Sequence, residues 1–245
     1  MYKIIAFDMD DTLAPAKSPA DSEMIKLLEN LLLKYKVAII TGGKFDTINM
    51  QIISQLSAKT NLKNLFIFPT IWTRMYYFEN NMWNLKYSQD LEKKEVEIIE
   101  NILNKAIVDL ELKPETIWWE IVENRWSQVT YSALWQKAPL DAKRLWDPNK
   151  TIRQKIREYI KDDLSEYSIW IWWTTSIDIT KKWLDKSYWI QKIIENIGIK
   201  KEEIFFIWDA IFPGWNDYPV KQYWVDTKQV ENPEDTKIII KELIA

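Results

Sequence analysis

Two kinds of hydrophobic pattern alternate along the chain. Short unbroken apolar runs at Lys3–Phe7, Val37–Ile40, Leu65–Phe68 and Ile204–Ile207 read as strands covered on both faces. Between the first three lie two helical stretches. Asp21–Lys36 repeats its apolar residues at Met24, Leu27, Leu28, Leu31 and Leu32, and Phe45–Leu56 follows the same period. This β-α-β-α-β order predicts an α/β fold, a Rossmann-like doubly wound parallel sheet.

The middle of the chain changes character. Arg74–Phe78 and Trp83–Tyr87 read as a hairpin around Glu79-Asn80-Asn81, and a long helix is expected over Leu91–Leu110. Ile117–Glu123 and Ser127–Leu134 alternate as antiparallel strands do, and Tyr167–Ile171 and Ser176–Thr180 follow a helix at Pro148–Tyr159. After a helix at Leu184–Asn196 the buried-strand pattern resumes, and Asn232-Pro233-Glu234 opens a last helix, Asp235–Leu243. The expected organisation is therefore a split core, residues 1–81 and 184–245, with an inserted α+β domain over 82–183. No internal repeat is visible.

Composition narrows the chemistry. The 245 residues include no cysteine and no histidine, which excludes disulfides, Cys- or His-ligated metals, thiol nucleophiles and Ser-His-Asp catalysis. Catalysis must rest on carboxylates, hydroxyls, lysine, arginine and oxygen-liganded metals. A net charge of −3 without a basic run argues against a nucleic-acid partner. No apolar run approaches membrane-spanning length and no signal-peptide pattern opens the chain, so a soluble cytoplasmic protein is expected.

The strongest chemical pattern is Asp8-Met9-Asp10-Asp11-Thr12-Leu13, directly after the first buried strand. Ligands of open α/β sheets bind beyond the carboxyl ends of strands. Two carboxylates two residues apart on such a turn suit a nucleophile and a proton donor beside one metal ion. An EF-hand calcium loop would need glycine at its sixth position and glutamate at its twelfth, where this chain has Leu13 and Pro19. Thr41 after the second strand offers a hydroxyl to a phosphate oxygen, and Lys186 opens a helix where it can neutralise charge. Asp209, with Asn216 and Asp217, follows the Ile204–Ile207 strand and supplies oxygen ligands for Mg²⁺.

In that order these signals resemble the four signatures of the haloacid dehalogenase superfamily: Asp8/Asp10, Thr41, Lys186 and Asp209/Asp217. The segments 209–217, Glu123-Asn124-Arg125-Trp126-Ser127 and Ser176-Ile177-Asp178 look like the phosphomannomutase-like branch with a C2B cap. The resemblance implies an aspartyl-phosphate formed on Asp8, with Asp10 as acid and then base. It implies Mg²⁺ held by Asp8, Asp10, Asp209 and Asp217, with Thr41 and Lys186 holding the transferring group. Gly42, Asn216 and the cap residues Arg125, Lys143, Ser176 and Asp178 are the implied substrate contacts, and pairing through the cap would make a homodimer. Where the mutases carry a second cap arginine this chain has Gln136. The expected function is a Mg²⁺-dependent phosphatase for a small phosphorylated metabolite, a sugar phosphate. The alternative is a mutase interconverting mannose 6-phosphate and mannose 1-phosphate.

One compositional anomaly bears on all of this. The chain has 4 Gly and 15 Trp, where a domain of this length carries roughly 17 Gly. Tryptophan stands where family-like segments expect glycine at positions 72, 126, 135, 170, 172, 173, 183, 189, 208, 215 and 224, and at one of 118 and 119. Returning those twelve to glycine brings the count within one of the expectation. The expectation is a gene whose UGA codons mean glycine and have been read as tryptophan. If the tryptophans are real, a catalytically dead sugar-phosphate binder is the second alternative.

Overall fold

The computed structural model describes residues 1–16, 18–112, 121–134, 140–171, 175–182, 186–209 and 225–245, with 140, 141, 144, 186, 187 and 189 described by backbone alone. The described residues fall into two compact units, Met1–Ser88 with Asp185–Ala245, and Gln89–Leu184.

The first unit is built on β1 (Ile4–Asp8), β2 (Lys36–Ile40), β3 (Leu65–Phe68), β4 (Arg74–Glu79), β5 (Met82–Ser88), β10 (Ile204–Trp208) and β11 (Asp226–Gln229). They form one sheet in the order β11-β10-β1-β2-β3-β4-β5. The first five of that order run parallel, and β4 and β5 extend the sheet as an antiparallel hairpin. Ile4, Ile5, Ala6 and Phe7 are completely buried, which is why β1 carries no polar residue before Asp8. The chain runs from β1 outward through β2 and β3, then returns to the other side of β1 for β10. That reversal places a crevice between β1 and β10 at their carboxyl ends.

α1 (Ser22–Lys34) starts where the Asp21 carboxylate accepts the Met24 N–H at 2.8 Å, and it buries Met24, Leu28 and Leu31 against the sheet core. α7, the last helix (Pro233–Ile244), starts where Asn232 accepts the Glu234 N–H at 2.9 Å, with Pro233 in its first turn. Lys237 joins the two starts: its Nζ lies 2.6 Å from Asp21, 3.3 Å from Glu23 and 2.6 Å from Glu234. α2 (Phe45–Gln51) and α6 (Lys186–Ile197) complete the described α-helices of this unit.

The second unit holds α3 (Lys93–Asp109), β6 (Val122–Asn124), β7 (Val129–Ser132), α4 (Leu140–Trp146), α5 (Thr151–Ile160), β8 (Tyr167–Ile171) and β9 (Ser176–Lys181). Its sheet is antiparallel throughout, in the order β6-β7-β9-β8. Strand alternation sends Val129, Tyr131, Ile177 and Ile179 into one core with Ile99 and Leu103 of α3 and Ile156 and Ile160 of α5. Arg153 is fully buried, and its guanidinium donates to the Asp147 carboxylate at 2.9 Å and to the Asp147 carbonyl at 2.6 Å. The same carboxylate accepts the Ile152 and Arg153 N–H groups, so one aspartate both starts α5 and holds its buried cation.

The α/β class and the antiparallel inserted sheet stand as expected, with three differences in detail. A boundary at residue 82 cuts the hairpin, because β5 pairs with β4 and is the edge of the first sheet. β11 was not expected, since Asp226-Thr227-Lys228-Gln229 has no apolar run; an edge strand with an exposed side needs none. α4 was also unanticipated. Among the described residues no helix is long and apolar enough to cross a membrane.

Lys237 generates a pH prediction. Its hydrogen bond and the Met24 N–H hold the Asp21 carboxyl below its ordinary range. A carboxyl depressed in the folded state stabilises above its unfolded pKa and stops doing so as pH falls through its folded value. Lys237→Met is expected to cost on the order of 1 kcal/mol near neutral pH, since the partner carboxylates are more than half exposed. The gap between the two proteins' melting temperatures should narrow as pH falls through the ordinary carboxyl range at about 4 and on through the depressed folded values. A gap that persists undiminished in acid would mean lost packing, not lost charge.

Candidate active site

Three neighbouring strands end together. Asp8 is the last residue of β1 and pairs with Ile40, so Thr41 emerges one residue beyond it from β2. On the other side Phe7 pairs with Ile207, and Asp209 follows the end of β10. Adjacent strands lie about 4.8 Å apart, so Asp209, Asp8 and Thr41 line one edge of the sheet within roughly 10 Å.

The turn after β1 explains which acid is structural. Leu13 and Ala14 both donate backbone N–H to the Met9 carbonyl at 3.0 and 3.2 Å, and Asp11 N–H donates to the Ala14 carbonyl at 2.7 Å. Asp11 sits at φ 57°, a left-handed backbone that aspartate tolerates better than most residues, and its Oδ1 accepts the Ala16 N–H at 3.0 Å. Asp11 therefore closes the turn. Met9, Thr12 and Leu13 are buried beneath it, while Asp8 and Asp10 keep partial solvent access.

The turn after β2 is tied at both ends. Thr41 N–H donates to the Phe68 carbonyl at 3.1 Å, and the Thr41 carbonyl accepts the Ile71 N–H at 3.0 Å. The Thr41 Oγ1 accepts the Gly43 N–H at 3.1 Å, which leaves the hydroxyl's own hydrogen for an acceptor such as a phosphate oxygen. Gly43's carbonyl in turn accepts the Thr70 N–H at 2.8 Å. Gly42 lies inside this turn with partial exposure. The partner turn runs through Thr70, Ile71 and Trp72, three successive left-handed residues at φ 50°, 56° and 54°. Sequence reasoning missed it: Pro69 marks the end of β3, but threonine and isoleucine are poor signals for a left-handed backbone.

Asp209 is anchored through its main chain, whose carbonyl accepts Gln229 Nε2 at 3.0 Å, while the Trp208 carbonyl accepts the Val230 N–H at 2.9 Å. Lys186 opens α6, but its side chain lies outside the described residues, as do Asn216 and Asp217 entirely. Among the described residues no three acidic side chains converge as a metal cluster. What the strand ends present is Asp8 closing β1, with Asp10 two residues on, and Asp209 just beyond β10.

In the second unit, Glu123, Thr130, Asp178 and Trp170 form one cross-strand row, on the face opposite the apolar core. Ser176 shares that face two residues before Asp178. Arg125 follows β6; its Nε donates to Glu123 at 2.8 Å and it is nearly buried. Lys143 is buried in α4. So Ser176, Asp178 and the Arg125–Glu123 pair belong to one polar face of this sheet. Gln136 lies outside the described residues.

The sequence model of the family described as eukaryotic phosphomannomutase matches residues 24–245. The chain belongs to that family. The match starts after the Asp8–Asp10 turn, but full-length relatives cover it. The phosphomannomutase of Schizosaccharomyces pombe is 26% identical over 261 residues, spanning 98% of this chain and 93% of its own. The probable phosphomannomutase of Caenorhabditis elegans is 23% identical, spanning 96% of this chain and 92% of its own. Solved structures share the fold at lower identity. The IMP-nucleotidase of Plasmodium falciparum superposes with a TM-score of 0.71 at 16% identity, over 99% of this chain and 68% of that one. A haloacid dehalogenase-like hydrolase from Bacteroides thetaiotaomicron gives 0.68 at 15%, over 99% of this chain and 100% of that one. The family member described here is thus an enzyme, a phosphatase or a phosphomutase, with a fold shared by the haloacid dehalogenase-like hydrolase.

The division of labour in the first turn is testable. Asp11→Ala is expected to destabilise the protein by about 1 kcal/mol in urea unfolding, through loss of the acceptor for Ala16 N–H. Asp11→Asn keeps an acceptor and tolerates the left-handed backbone, so it should stay within about 0.5 kcal/mol of the parent. Equal losses in both variants would assign Asp11 a role its carboxamide cannot fill.

Proposed function

We propose that this protein transfers a phosphoryl group to and from a hexose phosphate, interconverting mannose 6-phosphate and mannose 1-phosphate. The observation that supports it is the alignment of Asp209, Asp8 and Thr41 on three adjacent strand ends, in a chain of the phosphomannomutase family. Asp8 attacks phosphorus and the bond to the sugar oxygen breaks, with Asp10 giving that oxygen a proton. Asp10, now a carboxylate, takes the proton of the incoming hydroxyl as the phosphoryl group leaves Asp8. Thr41 donates its hydroxyl hydrogen to the transferring group, and Lys186 balances its charge. Arg125, Lys143, Ser176 and Asp178 receive the distal end of the sugar phosphate, and Gly42 and Asn216 complete the substrate contacts.

The donor set suits magnesium. It is all oxygen, from Asp8, the Asp10 carbonyl, Asp209 and Asp217, in a chain with no histidine or cysteine. When bound there, Mg²⁺ neutralises charge shared between the carboxylates and the phosphoryl oxygens. A homodimer through the second unit belongs to the same proposal.

A second reading, simple hydrolysis, is favoured by one residue. Gln136 stands where the mutases carry a cap arginine, and a bisphosphate intermediate needs cations at both of its ends. One incubation separates the two. Mannose 1-phosphate with Mg²⁺ and a hexose bisphosphate should yield mannose 6-phosphate faster than inorganic phosphate, and Asp8→Asn should abolish both products. Predominant phosphate release selects the phosphatase. Binding with no turnover at saturating Mg²⁺ selects the inactive binder, and turnover retained by Asp8→Asn would overturn the aspartyl-phosphate route.

We infer, too, that tryptophan stands for glycine in part of this chain. Of the suspect positions, Trp72 and Trp126 have left-handed backbones at φ 54° and 65°, whereas Trp83 and Trp146, where tryptophan is ordinary, do not. Trp208 is buried beside Asp209 with an indole Nε1 that has no hydrogen-bond partner among the described residues. Trp170 adds no support, since its Nε1 donates to Thr180 at 3.0 Å. Positions 118, 119, 135, 172, 173, 183, 215 and 224 lie outside the described residues. The intact mass of the protein from its native cells decides: glycine at these positions lowers it by more than 1 kDa, whereas the mass of the 15-tryptophan chain, 29.4 kDa, refutes the inference.

A further inference from the structure

Tyr87 lies on β5 one residue before the first unit's chain leaves it, and α6 begins one residue after the chain returns at Asp185. A bulge sets its direction. Tyr76 pairs with Leu85 but Met75 pairs with Tyr87, so Lys86 is an extra residue in β5. Tyr87 is thereby moved to the face of its partner Met75, which is almost completely buried, and away from the face of Tyr76 and Leu85.

On that face Tyr87 contacts Trp72, Tyr188 and Lys192. Its hydroxyl donates to the Trp72 carbonyl at 3.0 Å, and its ring meets Tyr188 of α6 edge-on at 6.4 Å. Lys192 Nζ lies 6.0 Å from the Tyr87 ring and 5.1 Å from that of Tyr188, which adds a cation to the pair. Burial, with Tyr188 and Glu195 nearby, raises the Tyr87 hydroxyl well above the ordinary tyrosine range, so it remains a donor at all working pH. Trp72 ends the left-handed run whose Thr70 and Ile71 N–H groups are bonded to Gly43 and Thr41. Tyr188 lies two residues into the helix that Lys186 opens.

We propose that Tyr87 is a positioning residue for phosphoryl transfer, holding the turn that carries Thr41 in register with the helix that carries Lys186. The two groups assigned to the transferring phosphoryl come from separate segments, and the described contacts of Tyr87 join both. The inference rests on the phosphoryl-transfer reading above. It needs only the main chain at position 72, so glycine there would serve equally.

The test compares full-length Tyr87→Phe with Tyr35→Phe, using mannose 1-phosphate, Mg²⁺ and a hexose bisphosphate and scoring both products. Tyr35 also donates its hydroxyl to a carbonyl, that of Leu243 at 3.2 Å, but has no bond to either phosphate segment among the described contacts. Tyr87→Phe should lower kcat about tenfold with KM changed less than about twofold, as misplacement of positioned groups does. Tyr35→Phe should lose a similar increment of melting temperature and keep its kcat. An unchanged kcat in Tyr87→Phe, or an equal fall in both variants, overturns the proposal. If Tyr87→Phe does not fold, Tyr188→Leu carries the same test, with the same drop in kcat expected from loss of the ring contact. Asp8→Asn separates the layers: if it stays active the phosphoryl-transfer reading fails, and if it is inactive while Tyr87→Phe is not, only the Tyr87 proposal fails.

Discussion

The parallel hydrogen bonding of β1 between β10 and β2 is the constraint on which the remaining structure depends. Ile4 to Phe7 are stripped of water on both faces, so no charged group can sit within the strand without a large penalty. The first position that escapes is its carboxyl end, and Asp8 occupies it. Register does the rest. Ile4 pairs with both Ile204 and Lys36, so all three strands end at one level, and Asp209, Asp8 and Thr41 emerge side by side. A slip of one residue would turn every buried side chain of the moved strand to its other face.

Around that edge the backbone is held in unusual shapes by bonds made elsewhere. Asp11 at φ 57° is closed by Ala14 and Ala16, and the Thr70–Trp72 run is secured by Thr41, Gly43 and Tyr87. Left-handed residues other than glycine cost roughly 1–2 kcal/mol each and persist where surrounding contacts over-determine them. Both clusters border the strand ends from which Asp8 and Thr41 emerge. Trp72, one of the positions where glycine is expected, has a left-handed backbone in the run that is bonded to the Thr41 turn.

The second unit solves a different problem with the same alternation. One face of its sheet supplies Val129, Tyr131, Ile177 and Ile179 to a core against α3 and α5. The other carries Glu123, Thr130, Ser176 and Asp178, with Thr130 and Asp178 buried. The buried Arg153–Asp147 pair is structural: its carboxylate also accepts the first N–H groups of α5, so removing either partner would leave the other charge unpaired.

Much of this was legible in the chain. Buried parallel strands announce themselves as short apolar runs, so the placing of Asp8, Thr41 and Asp209 at the carboxyl ends of neighbouring strands could be read beforehand. Polar β11 could not, because an edge strand is defined by its partner and not by its own side chains. The roles of Asp11 and Tyr87 were equally hidden. Asp11 looks like one more acid in the run until its bond to Ala16 is seen, and Tyr87 looks like any tyrosine until a one-residue bulge turns it toward Trp72. By itself, then, the sequence determined the sheet order's buried members and the residue types of the chemistry, because burial and ionisation are local properties. Only the tertiary structure decided which residues hold the turns, because that depends on hydrogen bonds between segments far apart in the chain.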